Sequence, residues 1–330
     1  MHLTDILGAR RLGLAAGSLA FVAAGVASAS PAGAALTATV ADDTLTVKGS
    51  AANDSLALRL APGQPGTLQV DFGDDGTADA SFDRATFSSI RVTLRSGADS
   101  FRVDQVNGTF ADEALTVEGE NGNDTLNGGD GVEQFFGGAG NDVVDGNRGN
   151  DTGTLGSGQD SFRWDPGDGS DVVEGGLGFD TLDFNGAAAD EIMSLSANGS
   201  RSLFLRNVAN ISMDMNDVEA LDLTALGGVD TMTVDDMSGT DFKRADVDLS
   251  GPAGGPDGAA DVVTVNGSAR GDAIAATAAG TGIEVTGLKT TTAIAGSETA
   301  DRLLIDGQAG NDTIDVDPAV NTLITVVATP

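Results

Sequence analysis

A nine-residue period constrains this chain more than any other feature. From Gly119 the sequence reads GENGNDTLN, GGDGVEQFF, GGAGNDVVD, GNRGNDTGT and LGSGQDSFR without a gap to Arg163. After Trp164 and Asp165 the frame resumes as PGDGSDVVE from Pro166 and GGLGFDTLD from Gly175, closing at Asp183. The unit is GGxGxDxUx, where U is a large apolar residue, and a period held over tandem copies points to a stacked, repetitive fold. Its glycines tolerate positive φ, so the first six residues can turn tightly and bring their carbonyls together while the aspartate brings a charge. The last three residues suit a short strand with one inward side chain, the place of Leu126, Phe135, Val144, Phe162, Val173 and Leu182. This recurrence of apolar residues argues against a solvated Gly/Asp linker, the reading composition alone would allow. If two units make one coil, each turn faces the turn two units on. Asp124 is then expected beside Asp142, Asp142 beside Asp160, and Asp171 near Asp160 or Asp151 across the Trp164–Asp165 insertion.

Carboxylates stacked one strand spacing apart, about 4.8 Å, repel strongly where water is scarce, so a cation is expected between them. The chain has no Cys, and its single His, His2, lies in a segment that export would remove. With only oxygen donors left, calcium is favoured over zinc or copper, with magnesium as the runner-up. These units resemble the hemolysin-type calcium-binding family, the RTX nonapeptide repeat proteins, closely from Gly119 to Asp183. The resemblance implies an all-β fold, a parallel β-roll or β-helix solenoid with short strands and calcium-binding Gly/Asp turns. It further implies ions held by the sixth-position residues Asp124, Asp142, Asp151, Asp160, Asp171 and Asp180. The turns carrying Gly119, Gly122, Gly137, Gly140, Gly146, Gly149, Gly158, Gly175 and Gly178 would supply carbonyls. Three departures from the pattern weaken individual sites: Glu133 in place of Asp, Gly153 in place of the apolar plug, and Leu155 and Pro166 in place of leading glycines.

Around the repeats the sequence keeps similar grammar. Residues 1–34 read as an export signal, with Arg10 and Arg11, an apolar stretch from Leu12 to Val26, and cleavage expected after Ala29 or Ala34. Residues 35–118 are expected as an N-terminal β-solenoid flank, with strands at LTVKG, LALRL, LQVDF, IRVTL, FRVD and LTVEG. Residues 119–186 form the calcium-binding roll and 187–330 a C-terminal solenoid, with a cap or side loop near 191–222. Asp54, Asp99, Asp230, Asp261 and Asp312 match the sixth position but mostly lack paired glycines, so they are read as turn formers, GQAGNDTID at Gly307 being the best exception. Trp164 is read as plugging the register shift, and Pro252–Pro256 as a loop or hinge.

The formal charge is -33, which opposes binding to nucleic acid or anionic lipid and favours cations. No second apolar run offers a membrane span for the mature chain. The function expected is calcium binding in a secreted, extracellular structural or interaction protein, with a cell-surface or extracellular polymer as a further partner class. Secreted proteases and lipases of the resembled family carry such repeats, but HExxH and GxSxG are missing here and the mature chain has no histidine base, so it is read as not an enzyme. A carboxylate-only carbohydrate hydrolase or lyase on a β-helix is the alternative. A toxin or adhesin component is a third reading, disfavoured by the lack of a long apolar domain.

Overall fold

The computed structural model describes residues 36–330; the expected export signal lies outside the described residues. Two fourteen-stranded sheets face each other, and among the described residues there is no α-helix. Through the repeats the strands are parallel and paired at the spacing of two units: Gln134 lies opposite Thr152 in the first sheet and Val143 opposite Ser161 in the second. Across the Trp164–Asp165 insertion the coil lengthens by two residues, Thr152 facing Val172 and Ser161 facing Thr181. The chain is therefore a β-roll in which successive units alternate between sheets.

The core is a thin double ladder, as a sequence poor in aromatics requires. Leu126, Phe135, Val144, Phe162, Val173 and Leu182 are all fully buried. On the second sheet Leu56, Phe101, Leu126, Val144, Phe162, Leu182 and Leu221 stack in register from coil to coil. The missing plug at Gly153 does not leave a hole: a Cβ there would lie 2.8 Å from Phe162, and Leu155, which is also fully buried, packs beside it. The two departures from the pattern thus compensate each other. Trp164, 0% exposed, stacks on Phe184 with ring centroids 4.1 Å apart and donates its indole N–H to the Gly169 carbonyl at 2.8 Å. It fills the space opened by the insertion.

The two edges of the roll differ. Strands of the second sheet here are three or four residues long, such as Thr125–Asn127 and Val143–Asp145, whereas those of the first, such as Glu133–Ala139 and Thr152–Gly158, continue into the next unit's opening glycines. Outside the repeats, antiparallel insertions interrupt the parallel stack. The segment 191–222, expected as a cap or side loop, instead supplies three strands in the middle of the first sheet. Ile192–Asn198, Arg201–Arg206 and Ile211–Asn216 pair antiparallel with one another and parallel with their outer neighbours. A tight turn at Gly199, φ 70°, lets the chain reverse, and both outer strands find coil partners, so the insertion spans the sheet instead of covering it. A second such insertion joins Ala273–Ala279, Gly282–Thr286 and Thr291–Ala295 in the second sheet, and a third joins Ser55–Ala61, Gln64–Phe72 and Ala80–Asp83. The segment Pro252–Pro256 is a loop, as expected.

Candidate metal centre

The sixth-position residues form columns along the two edges. On one edge the backbone N–H of Asp54 donates to Asp99 Oδ1, and the same bond repeats from Asp99 to Asp124, Asp124 to Asp142, Asp142 to Asp160, and Asp160 to Asp180, at 2.7–2.9 Å. Asp180 closes the series by donating to Glu219 Oε2 at 2.9 Å. On the opposite edge Glu133 donates to Asp151 and Asp151 to Asp171, at 2.7 and 2.8 Å. Asp171 therefore sits beside Asp151 and not beside Asp160. Asp99, Asp124, Asp142, Asp160, Asp180, Asp151 and Asp171 each spend Oδ1 on the neighbouring coil's backbone, which fixes their direction.

The other oxygen is what defines the centre. Oδ2 of Asp99, Asp124, Asp142, Asp151, Asp160 and Asp180 is buried with no hydrogen-bond partner. Desolvation is the main cause of the raised carboxyl pKa values: Asp99, Asp142 and Asp180 are pushed up to about 6, Asp171 and Glu133 to about 7, and Asp151 to about 9. Backbone hydrogen bonds oppose the rise without cancelling it. A buried carboxylate oxygen without a donor costs several kcal/mol by order of magnitude unless a charge neutralises it.

The glycines make room for that charge. At the first position the need is space, not φ: a Cβ on Gly137 would lie 2.6 Å from Asp142 Oδ2 and 2.5 Å from the Leu155 carbonyl of the next coil. The place a side chain would occupy is thus bounded by a carboxylate oxygen and a carbonyl from adjacent coils. Gly119 and Gly128 stand in the same relation to Asp124 and Glu133, and a Cβ on Gly146 would meet the Asp151 carboxylate. At the fourth position positive φ is required: Gly140, φ 131°, faces the Gly122 carbonyl, which a Cβ would overlap. Gly122, Gly149, Gly158 and Gly178 repeat this arrangement.

Among the described residues no three acidic side chains converge on one point. A cation held here takes one or two carboxylate oxygens and completes its shell with turn carbonyls and water. Calcium, which accepts six to eight oxygen ligands in flexible geometry, fits this donor set; zinc, which wants nitrogen or sulfur, does not. Asp124, Asp142, Asp160 and Asp180 on one edge, and Glu133, Asp151 and Asp171 on the other, are the side chains that would hold it. Bound calcium would supply the positive charge that lets stacked carboxylates stay ionised and would tie successive coils together.

Two features escaped the sequence reading. Glu133, counted as a defect, occupies its column position, is buried, and accepts the Gly129 N–H at 3.2 Å. The fifth position carries a second ladder: Asn53, Asn123, Asn141 and Asn150 accept through Oδ1 from the backbone N–H of Ala98, Asn141, Gln159 and Ser170. Its signal was the dipeptide Asn-Asp recurring in ANDSLA, GNDTLN, GNDVVD and GNDTGT. The five aspartates outside the best repeats do not behave alike. Asp54 is a turn former, its Oδ2 taken by the Ser50 N–H at 2.6 Å, but Asp99 and Asp230 have the same buried, unpartnered Oδ2 as the repeat residues. Asp261 is buried and accepts the Asp230 N–H at 2.8 Å, and Asp312 is half-buried and accepts the Asp272 N–H at 2.8 Å.

Fold and columns together define a β-roll with columns of buried carboxylates between its coils. Residues 116–144, 127–162, 166–183 and 304–323 match the RTX calcium-binding nonapeptide repeat. The chain carries this family's repeats, and RTX nonapeptides bind calcium. The last matched segment contains GQAGNDTID, outside the central run. A comparison with curated proteins finds no match.

Proposed function

We propose that this is a secreted structural or interaction protein whose roll is completed by calcium outside the cell. The observation that carries the reading is the set of seven buried aspartate oxygens, Asp230 included, that no donor satisfies. In low calcium these columns hold uncompensated charge and favour an open chain. In millimolar calcium the ions bind only the closed coils, so binding energy becomes folding energy. A site at tenfold its dissociation constant adds about 1.4 kcal/mol. Four or five such sites add about 6–7 kcal/mol, comparable with the whole stability of an ordinary domain, about 5–15 kcal/mol. Among the described residues no helix is long and apolar enough to cross a membrane.

The test is circular dichroism of the chain beginning at residue 35, titrated with calcium and, in parallel, magnesium. A calcium-specific gain in β signal supports the proposal. An already complete spectrum whose thermal midpoint ignores calcium overturns it.

A further inference from the structure

The C-terminal half contains a turn that reproduces the repeat's geometry with little of its sequence. Residues 186–191 and 225–230 are consecutive turns on the edge that leads into the first sheet, and Gly228 occupies the fourth position with φ 126°. A Cβ there would lie 2.5 Å from the Ala189 carbonyl, as one on Gly140 would meet Gly122. At the fifth position Asp190 Oδ1 accepts the Val229 N–H at 2.9 Å, doing what Asn does in the repeats. At the sixth, the Glu191 N–H donates to Asp230 Oδ1 at 2.9 Å, Asp230 to Asp261 at 2.8 Å, and Asp261 to Asp301 at 3.0 Å.

The independent sign of a ligand is Asp230 itself. It is 2% exposed, and its Oδ2 is buried with no partner. Asp261 and Asp301 are equally buried, and in the turn before Asp301 both Ser297 Oγ and Glu298 Oε1 are buried without partners. Asp257, in the loop above, accepts the Gly228 N–H at 3.2 Å and adds a further acidic group to the same edge. Among the described residues no Lys or Arg forms an ion pair with Asp230, Asp257, Asp261, Glu298 or Asp301, whereas Glu191 at the head of this column is paired with Arg206. The charge is neutralised only where the column begins.

We propose that Asp230 and Asp261, with carbonyls of the 225–230 turn, bind a calcium ion separate from those of the nonapeptide run. The donors are oxygen alone, so the hard-cation choice made for the repeats applies here. This inference rests on the calcium reading of the repeat turns and extends it to a stretch outside the matched segments. Such an ion would pin the two coils that follow the antiparallel insertion, where the step from Glu191 to Asp230 is 39 residues against 18 from Asp124 to Asp142.

Equilibrium dialysis with radioactive calcium on the chain from residue 35, at saturating calcium, tests this. Asp230→Asn with Asp261→Asn should lose one ion per chain and keep the rest; Asp142→Asn with Asp160→Asn should lose ions from the repeats and keep this one. An unchanged stoichiometry in the first variant overturns the proposal. Because the double variant could fail to fold, anomalous scattering from terbium-soaked crystals of the unsubstituted chain is the second measurement. A peak beside Asp230 supports the site. Peaks along Asp124–Asp180 with none at Asp230 overturn this inference alone, and no peaks anywhere overturn the function proposed above as well.

Discussion

The acidic columns carry two kinds of side chain, and the two differ in whether a basic group of the same chain meets them. Inside the repeats the sixth position is almost always Asp, and at Asp124, Asp142, Asp151, Asp160 and Asp180 the free oxygen is buried without a partner. At the interruptions it is Glu, and two of those glutamates meet a basic side chain of the same chain. Arg206 pairs with Glu191, and Lys243 Nζ lies 3.6 Å from Glu219 Oε1. The longer side chain reaches past the coil spacing to a cation carried in cis, whereas the shorter one leaves its oxygen between coils for an ion from solution. Glu133 is the exception that tests the rule: it stands inside the run, has no basic partner among the described residues, and is pushed up to about 7 by burial. By this logic it belongs with the calcium ligands.

If the difference is real, chelation should have the largest effect. Removing calcium at pH 8 is expected to lower the thermal midpoint by roughly 10–20 °C, from about 6–7 kcal/mol of lost binding energy. Differential scanning calorimetry with and without a chelator measures it. The chelated protein should also show an inverted pH response. Asp99, Asp142 and Asp180 titrate near 6 and Asp171 near 7 in the folded chain, above their unfolded values near 4. Their raised pKa values therefore contribute stability that is full below about pH 4 and lost as pH rises through 6–7. With calcium the trend reverses, because metal ligation needs the carboxylates deprotonated. Thermal midpoints from pH 4 to 8 that run parallel in the two conditions would remove the basis of the comparison.

Next in size is Arg206→Met. Arg206 is 4% exposed over the Trp164 ring, 5.0 Å from its centroid, and Glu191 is fully buried. Leaving Glu191 unpaired should cost about 3–5 kcal/mol, and the loss should already be present under chelation. Asp142→Asn should behave oppositely. Its amide can still accept the Asp124 N–H, so with calcium it should cost about 1–3 kcal/mol through one or two weakened sites, and in chelator at pH 8 it should slightly raise the midpoint by removing a buried charge. Urea denaturation in both conditions separates the two variants. Equal losses with and without calcium at Asp142 would mean that the column is held by hydrogen bonds alone.

Much of this was legible before any coordinates. The nine-residue frame carries the two-unit coil, the inward ladder from Leu126 to Leu182 and the edge aspartates, because a period with one apolar and one acidic position permits few arrangements. What the frame could not convey lay in breaks of the period. The insertion at 192–216 was announced only by Asn198-Gly199 between alternating segments, a hairpin signal that reads as one more turn in a chain with 47 glycines. Asp230 was set aside because Ala225 and Leu226 stand where the paired glycines would be, although the backbone around Gly228 adopts the same path. The partners Arg206 and Lys243 come from 15 and 24 residues away, through strands whose register no local motif specifies.

The smallest expected effect is also the sharpest check on burial as the deciding variable. Lys243 does for Glu219 what Arg206 does for Glu191, but its side chain is 55% exposed, and its ammonium also lies 5.7 Å from the Phe179 ring centroid. An exposed pair of this kind contributes about 0–1 kcal/mol and is screened by salt. Lys243→Met should therefore cost at most about 1 kcal/mol in low-salt urea melts, and the difference should vanish near 1 M potassium chloride. A loss as large as that of Arg206→Met, or one that persists in high salt, would mean that the column's end needs a fixed positive charge regardless of solvent. Cations in cis would then be as essential to the roll as the calcium between its coils.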